Sequence, residues 1–345
     1  MDNRNITGLT FEELKLVLAA WKQESFRAQQ IFSWIYKRGM TNFDVMADLP
    51  VDLRVRLKEN YSLFALKLVK VLQSQDAAEK FIFETNDGNF IEGVSIPASE
   101  RITGCISTQV GCKFSCRFCA SGLLGFRRNL TASEMIEEIL FLKNYSADKR
   151  LTHVVFMGIG EPLDNYDNVL KVIRIINSPL GLNIGARRIT ISTCGIIPGI
   201  KRLADEGLQI ELSISLHAAD DRTRSQIMPI NKKYPLKDLI KACAEYIKKT
   251  NRQITFEYVL IKNINLDLQS AQNLATILKS LGLCKVNLIP CNPIRELNVE
   301  TPAKLEILLF RDYLLKQGLN VTLRKPRGQD IAAACGQLRL RYEKN

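Results

Sequence analysis

Three cysteines, Cys112, Cys116 and Cys119, fall within eight residues in the stretch GCKFSCRFCASG, in a chain with nine cysteines and only two histidines. A closed structural zinc site takes four ligands, commonly as two C-x2-C pairs, and the C-x3-C-x2-C spacing here supplies three. Thiolates suit iron-sulfur clusters as well as zinc, and a cubane held by three of them keeps one iron open to bind something reactive. A zinc site completed by Cys105 or Cys335, or three unligated thiols, are the other readings of the same residues. Four polar or glycine-rich stretches are the next candidates for chemistry: MGIGEPLDN from Met157, STCG from Ser192, SLHAADD from Ser215 and PCNPI from Pro290.

From about residue 101, apolar strand-like stretches alternate with amphipathic ones. The strands expected are ITGCIST, LTHVVFMG, RITISTC, QIELSISLH, ITFEYVLI, KVNLIP and, near the end, NVTLRK. Helices are expected near 131–145, 167–177, 197–206, 235–249, 268–281 and 302–317. Such alternation makes a parallel α/β fold, and six strands before the terminal one imply a partial (β/α)6 TIM-type barrel open on one side. The four polar stretches follow the second, third, fourth and sixth strands, at the carboxyl ends where such folds gather their active sites.

Upstream, Leu14, Leu18 and Trp21, then Ile31, Trp34 and Ile35, then Leu49, Leu53 and Leu57 recur at helical spacing. Residues 65–98 change to short strands with Asp87-Gly88 as a hairpin turn. The organisation expected is a helical accessory domain at 1–64, a small β extension at 65–98, the barrel at 99–334 and a terminal segment at 335–345.

The chain has 345 residues and a net charge of +12, with basic pairs at Lys37-Arg38, Arg127-Arg128, Arg187-Arg188 and Lys232-Lys233 and a run at Arg324-Lys325-Pro326-Arg327. An excess this size points to a polyanionic partner, nucleic acid first, and reads equally as a merely basic surface. No apolar run approaches the roughly 20 residues of a spanning helix, and the start reads as no export leader. A cytoplasmic protein with reduced thiols is the expectation.

C-x3-C-x2-C after a first barrel strand, the aromatic Phe118 before the last cysteine, and the turn GIGEP together resemble the radical S-adenosylmethionine enzymes. CISTQVGCKFSCRFCASGLLGFRRNLT, FMGIGEPLDNYDNV, ISTCGIIPGIKRLADEGLQIELSISLHA, MPINKKYPL and RGQDIAAACGQL, with FRAQQIFSWIYKRG upstream, narrow the resemblance to the RlmN/Cfr family of RNA adenine methyltransferases. The resemblance implies a [4Fe-4S] cluster on Cys112, Cys116 and Cys119, and two molecules of S-adenosylmethionine per turnover. It makes Cys335 the carrier of a methyl group, Cys105 the thiol that resolves a protein–RNA adduct through a transient disulfide, and Glu92 the proton acceptor. It gives Gly160, Glu161, Ser192, Ser215, Leu216, His217 and Asn292 to cofactor binding. The implied substrate is 23S ribosomal RNA, with tRNA beside it, and the implied electron donor is one such as flavodoxin and its reductase. A monomer with no membrane contact is expected.

Intact GEPLDN and LADEGLQ look like the RlmN type, which methylates carbon-2 of adenine; the Cfr type, which methylates carbon-8 and confers antibiotic resistance, is the alternative. A non-catalytic zinc-stabilised RNA-binding protein is a remote one, since it leaves the strand-end motifs and Cys335 without a reason. RELNVETPAK, after PCNPI, is shorter and poorer in proline and glycine than the family pattern. Taken singly, several residues read as structural. His217 ends an apolar strand, Cys243 shares a helical face with Leu236, Leu239, Ile240 and Ile247, and Cys194, Cys284 and Cys291 have no partner at ligand spacing. Arg127-Arg128 reads equally as a solvated pair or a phosphate contact.

Overall fold

Ten strands form one sheet in the order in which they occur along the chain. In this computed structural model, residues 4–123, 125–145, 150–293 and 299–338 are described. Strands β1 (Lys67–Gln73), β2 (Glu79–Glu84) and β3 (Phe90–Pro97) pair antiparallel, and β3 pairs antiparallel with β4 (Ile102–Cys105). From β4 onward every pairing is parallel, through β5 (Leu151–Phe156), β6 (Ile189–Thr193), β7 (Glu211–Ser215), β8 (Ile254–Leu260), β9 (Cys284–Pro290) and β10 (Val321–Leu323). The expected six parallel strands and a terminal one are therefore present. The sheet is open, with β1 and β10 at its edges.

Strand β8, ITFEYVL, is buried at every position, as a central parallel strand covered on both faces must be. The covering helices carry apolar stripes: α5 (Tyr166–Asn177) buries Val169, Leu170, Val172, Ile173, Ile175 and Ile176. Helix α4 (Ala132–Tyr145) starts at a reciprocal cap, in which Glu134 N–H donates to Thr131 Oγ1 at 3.2 Å and Thr131 N–H to Glu134 at 2.8 Å. Helices α6 (Ile197–Leu203), α8 (Leu236–Thr250), α9 (Leu268–Lys279) and α10 (Lys304–Lys316) follow the sequence expectation, with α6 ending three residues early. The short helix α7 (Asp221–Ile227), started by an Asp220 cap on Thr223 N–H, was not expected. Among the described residues no helix is long and apolar enough to cross a membrane.

The N-terminal layer consists of α1 (Phe11–Ala20), α2 (Phe26–Phe32), continuing as a π-helical turn over Ser33–Lys37, and α3 (Val51–Asn60). It shares one hydrophobic core with the barrel. Glu137 of α4, fully buried, joins the two: it accepts from the Ala65 and Leu66 N–H groups, both at 2.7 Å, from Thr7 Oγ1 and from the Asn5 amide. Burial raises its pKa to about 7 despite these donors. Replacing it by alanine strands buried donors, and Glu137→Ala is expected to cost about 3 kcal/mol in denaturant unfolding near pH 6. The folded state holds the Glu137 proton more tightly than the unfolded chain, so wild-type stability falls as pH rises from about 5 to 8. The gap between wild type and variant is expected to narrow over that range.

Candidate active site

The three clustered cysteines lie on the loop between two short antiparallel strands, Gln109–Gly111 and Phe126–Asn129. The loop is folded on itself: Cys112 N–H donates to the Gly125 carbonyl at 3.0 Å and Cys119 N–H to the Cys116 carbonyl at 3.1 Å. It is tied outward by Arg117 N–H to the Ile227 carbonyl at 2.9 Å, and by Ala120 N–H to the Gly336 carbonyl at 2.7 Å. All three thiols line one cleft of about 950 Å³, with Phe114, Phe118, Met228 and Val259 among its apolar walls. Burial pushes each thiol up, Cys112 to about 12; Cys119 adds to the rise at Cys112 and Cys116, and Cys335 to that at Cys119.

The carboxyl ends of β5, β6, β7 and β9 form the opposite walls. Gly160, Glu161, Ser192, Ser215, His217 and Asn292 all line the cleft. Leu216 does not; it is fully buried, and its carbonyl accepts from Arg224 Nε at 3.1 Å. Gly160 has φ +105°, and a Cβ there would come within 2.6 Å of Gln109, so packing of the turn already requires glycine. Glu161 is buried and its carboxylate accepts from Leu163 N–H at 3.0 Å and Cys194 N–H at 2.7 Å. Asn292 donates to the Cys335 carbonyl at 2.9 Å and accepts from Gln329 at 2.6 Å, so its amide holds the C-terminal segment. The Nδ1 of His217 accepts from Val259 N–H at 3.0 Å, which puts the ring proton on Nε2. Its ring meets Phe118 edge to face at 4.6 Å.

A smaller cavity adjoins the cleft. Cys105 faces this second space, while Cys335, Asn292, Met157 and Arg324 line both. Cys105 ends β4, opposite Val94 of β3 and Val155 of β5. Its thiol is pushed up by burial and then by the nearby Cys335. The Arg324 guanidinium is kept charged by Cys335 first and, against burial, by Glu257 and Cys105. Glu92 of β3 is buried and paired with Lys80 at 3.2 Å; it is not among the residues lining either cavity.

Several residues differ from their sequence reading. Cys194 and Cys291, read as structural, line the cleft, and each directly follows a strand inside a polar stretch, a signal that was available. Cys243 is fully buried on its helix, and Cys284 donates to the Leu278 carbonyl at 3.4 Å outside both cavities. Arg324 turns inward instead of adding to a basic surface. Arg128 is clamped by Asp87 and Glu134, each through two bonds of 2.7–2.9 Å, so it is no free phosphate ligand. Glu257, a lone carboxylate in the apolar strand β8, also lines the cleft. Residues 294–298, which include much of the RELNVETPAK stretch, lie outside the described residues.

The description of the Radical SAM superfamily matches residues 106–274, and that of the ribosomal RNA large subunit methyltransferase N-terminal domain matches residues 4–63. A probable dual-specificity RNA methyltransferase RlmN of Clostridium novyi (strain NT) is 46% identical over 343 residues, 99% of each chain. Its counterpart in Clostridium tetani is 47% identical over 342 residues, covering 99% of this chain and 97% of the other. This chain belongs to the RlmN family. A crystal structure of a radical SAM methyltransferase from Sphaerobacter thermophilus, 43% identical, matches with a TM-score of 0.94 over 97% of this chain and 99% of that one.

Membership of the radical SAM superfamily implies a [4Fe-4S] cluster and S-adenosylmethionine, and the RlmN-family site fits them. Three mutually destabilised thiols in an apolar wall lose that penalty once a cationic iron centre takes up their charge. Among the described residues no set of His, Cys, Asp or Glu is gathered to chelate a single ion; the corners of a cluster take thiolates that stand apart. Cys105, one candidate for a fourth zinc ligand, faces the second cavity instead.

Burial and the nearby Arg224 hold the pKa of His217 down to about 3. Below its ordinary 6.5 the unfolded chain takes the proton first, so stability is lost as pH falls from there. His217→Asn keeps an acceptor for Val259 N–H and tolerates the φ of 58°. The stability lost by the wild type between about pH 7 and 5 is expected to shrink in the variant by about 2 kcal/mol, read by denaturant unfolding. An unchanged loss contradicts a neutral, buried imidazole.

Proposed function

We propose that this protein methylates carbon-2 of an adenine in 23S ribosomal RNA and in tRNA, with Cys335 as carrier of the methyl group. The observation that carries this reading is the pair of adjoining cavities. Cys335 lines both, facing the cluster-loop thiols in one and Cys105 in the other. An aromatic C–H carbon is a poor nucleophile, so direct methyl displacement is closed to it and a radical route is open.

When bound, the cluster and S-adenosylmethionine supply a one-electron cleavage that yields a hydrogen-abstracting radical. Cys112, Cys116 and Cys119 would hold the cluster, and Gly160, Glu161, Ser192, Ser215, Leu216, His217 and Asn292 would surround the cofactor, Leu216 from behind the wall. Two cofactor molecules would serve each turnover, and the Cys335 sulfur would take its methyl group from the first. Arg324 lines both cavities beside the two thiols, and its charge opposes the burial that raises the Cys105 thiol. Glu92 takes the ring proton while the adduct would give its unpaired electron back to the cluster; the Cys105 sulfur then bonds to that of Cys335, and the carbon that leaves with the C–S electron pair takes up a proton to become the methyl group. Reduction of the disulfide to two thiols is needed before another turnover, and an external donor, such as flavodoxin and its reductase, would supply the cluster's electron.

The RNA substrate is supported by the names of the relatives and by the charge of +12. The N-terminal layer presents Arg38 over Trp34 at 3.8 Å, Arg27 over Phe26 at 4.6 Å and Arg56 over Trp21 at 4.6 Å. Guanidinium and aromatic faces of this kind suit phosphates and splayed bases. GEPLDN and LADEGLQ support carbon-2 over carbon-8.

Anaerobic incubation of the reconstituted protein with S-adenosylmethionine, reductant and each RNA is expected to give 2-methyladenosine by nucleoside mass spectrometry. A product of 8-methyladenosine overturns the regiochemistry, and neither product on either RNA overturns the reading. Metal analysis is expected to find about four irons with matching sulfide, where one zinc and no iron would leave only an RNA-binding role. Cys335→Ala is expected to lower product at least about 100-fold with iron content unchanged; continued turnover removes Cys335 as the carrier.

A further inference from the structure

We infer that Lys80 is a positioning residue that sets Glu92 and the Cys335 segment together, an inference resting on the roles proposed above for those two residues. Lys80, Val94, Cys105 and Val155 occupy one register row across β2, β3, β4 and β5. Lys80 and Cys105 therefore face the same side of the sheet, and Glu92, two residues before Val94, faces it too. The C-terminal segment covers this face, with Ala333 and Leu338 packed in one cluster with Val94 and Cys105.

The Lys80 side chain is 6% exposed and that of Glu92 1%. The ammonium lies 3.2 Å from Glu92 Oε1 and donates to the Ala332 carbonyl, also at 3.2 Å. Ala332, in the left-handed region at φ 51°, is three residues before Cys335. The same hairpin grips this segment elsewhere. Gly328 N–H donates to Asp76 at 3.0 Å, Gln75 N–H to Asp330 at 3.0 Å and Ser74 Oγ to Asp330 at 2.5 Å.

Lysine is almost never buried without a partner, and an apolar residue would fill the same volume without the desolvation cost. One ammonium with two acceptors does what an apolar side chain does not. Its charge favours the carboxylate form of Glu92, the form a proton acceptor needs. Its bond to Ala332 fixes the height of the segment that bears Cys335 over the row ending at Cys105.

The test compares reconstituted holoenzymes carrying Glu92→Gln, Lys80→Gln, Lys80→Met or both glutamine changes. Cys335 methylation is read by intact mass, the covalent protein–RNA adduct on denaturing gels, and product by nucleoside analysis. Glu92→Gln is expected to keep Cys335 methylated, accumulate adduct and cut product about 100-fold. Lys80→Gln retains a donor for the Ala332 carbonyl but not the charge. It is expected to accumulate adduct with product down at least about tenfold, and to recover as pH rises because a carboxyl that has lost the neighbouring ammonium ionises later. In the Glu92→Gln background it adds nothing further. Lys80→Met, which also loses the Ala332 bond, is expected to lower Cys335 methylation as well.

Wild-type turnover by Glu92→Gln sinks the proposed role of Glu92 and this inference with it. If Glu92→Gln stalls while Lys80→Gln turns over normally with an unmoved pH profile, the inference alone is overturned. Should the neutral variants lose their iron, Lys80→Arg decides: a wild-type pH profile supports the positioning charge, and adduct accumulation with the charge present overturns it.

Discussion

One hydrogen bond, from Ala120 N–H to the Gly336 carbonyl at 2.7 Å, fastens the end of the chain to the loop that carries the three thiols. Most of the site's geometry depends on it. A thiol that serves two cavities has to sit at their junction, and the last described segment gets there by threading between the loop, the strand-end residue Asn292 and the hairpin of β1 and β2. Ser121 adds a bond to the Leu338 carbonyl at 2.9 Å, and Asn292 holds the carbonyl of Cys335 itself. Gly336 has φ +82°, and a Cβ there would press within 2.7 Å of the Phe118 carbonyl. Only glycine lets the chain pass so close to the cluster loop, which gives ACGQL the glycine that directly follows Cys335.

The open barrel makes this threading possible. A closed barrel would use the edge beside β4 for another parallel strand and helix. Here that edge pairs antiparallel with β3, and three extra strands extend the sheet into a floor beneath the terminal segment. Because opposite residues in neighbouring strands share a face, the register alone lines up Lys80, Val94 and Cys105. The helical layer is held against α4 at the other face through Glu137, and Glu138, next to it, accepts from Ser107 N–H beside the first barrel strand. Two adjacent glutamates on one helix thus serve different junctions.

Much of this was legible in the sequence, because period and spacing are local properties. The short, largely apolar run of β8 and the stripe of α5 determine strand and helix without reference to anything distant, and C-x3-C-x2-C places three thiols on one loop. The strand-end polar stretches gathered at one cleft because a parallel sheet sends all its carboxyl ends to one side. What was not legible depends on residues distant in the chain. Arg324 sits in a basic run and reads as surface until its strand is paired with β9. Asn292 reads as a cofactor ligand, and nothing near it in the sequence shows that its amide also bonds Cys335 and Gln329. Arg128 reads as free cation until Asp87, far upstream, closes on it. Lys80 lies in an ordinary-looking strand, EKFIFE, and only register shows that it faces Cys105.

Behind the cleft a buried cation does for the strand ends what the ladder no longer does. Where β6 and β7 finish, the chains part to make room, and their last carbonyls lose ladder partners; each left bare would cost about 1–3 kcal/mol. Arg224, fully buried, donates to the carbonyls of Cys194 at 2.8 Å, Ser215 at 3.2 Å and Leu216 at 3.1 Å, and to Asn231 Oδ1 at 2.9 Å. Asn231 belongs to the MPINKK turn and is itself bound to Asp221 and Ser225, so that motif secures a cation whose bonds hold the cleft open. Replacing a buried charge with an apolar side chain of equal volume is often neutral or favourable. At this position it would take the guanidinium from the Cys194 and Ser215 carbonyls, leave Leu216 with only the Ala218 N–H at 2.8 Å, and remove a charge that adds to burial in keeping His217 neutral. The guanidinium is retained because the cleft requires frayed strand ends, and frayed strand ends require a donor with several directions.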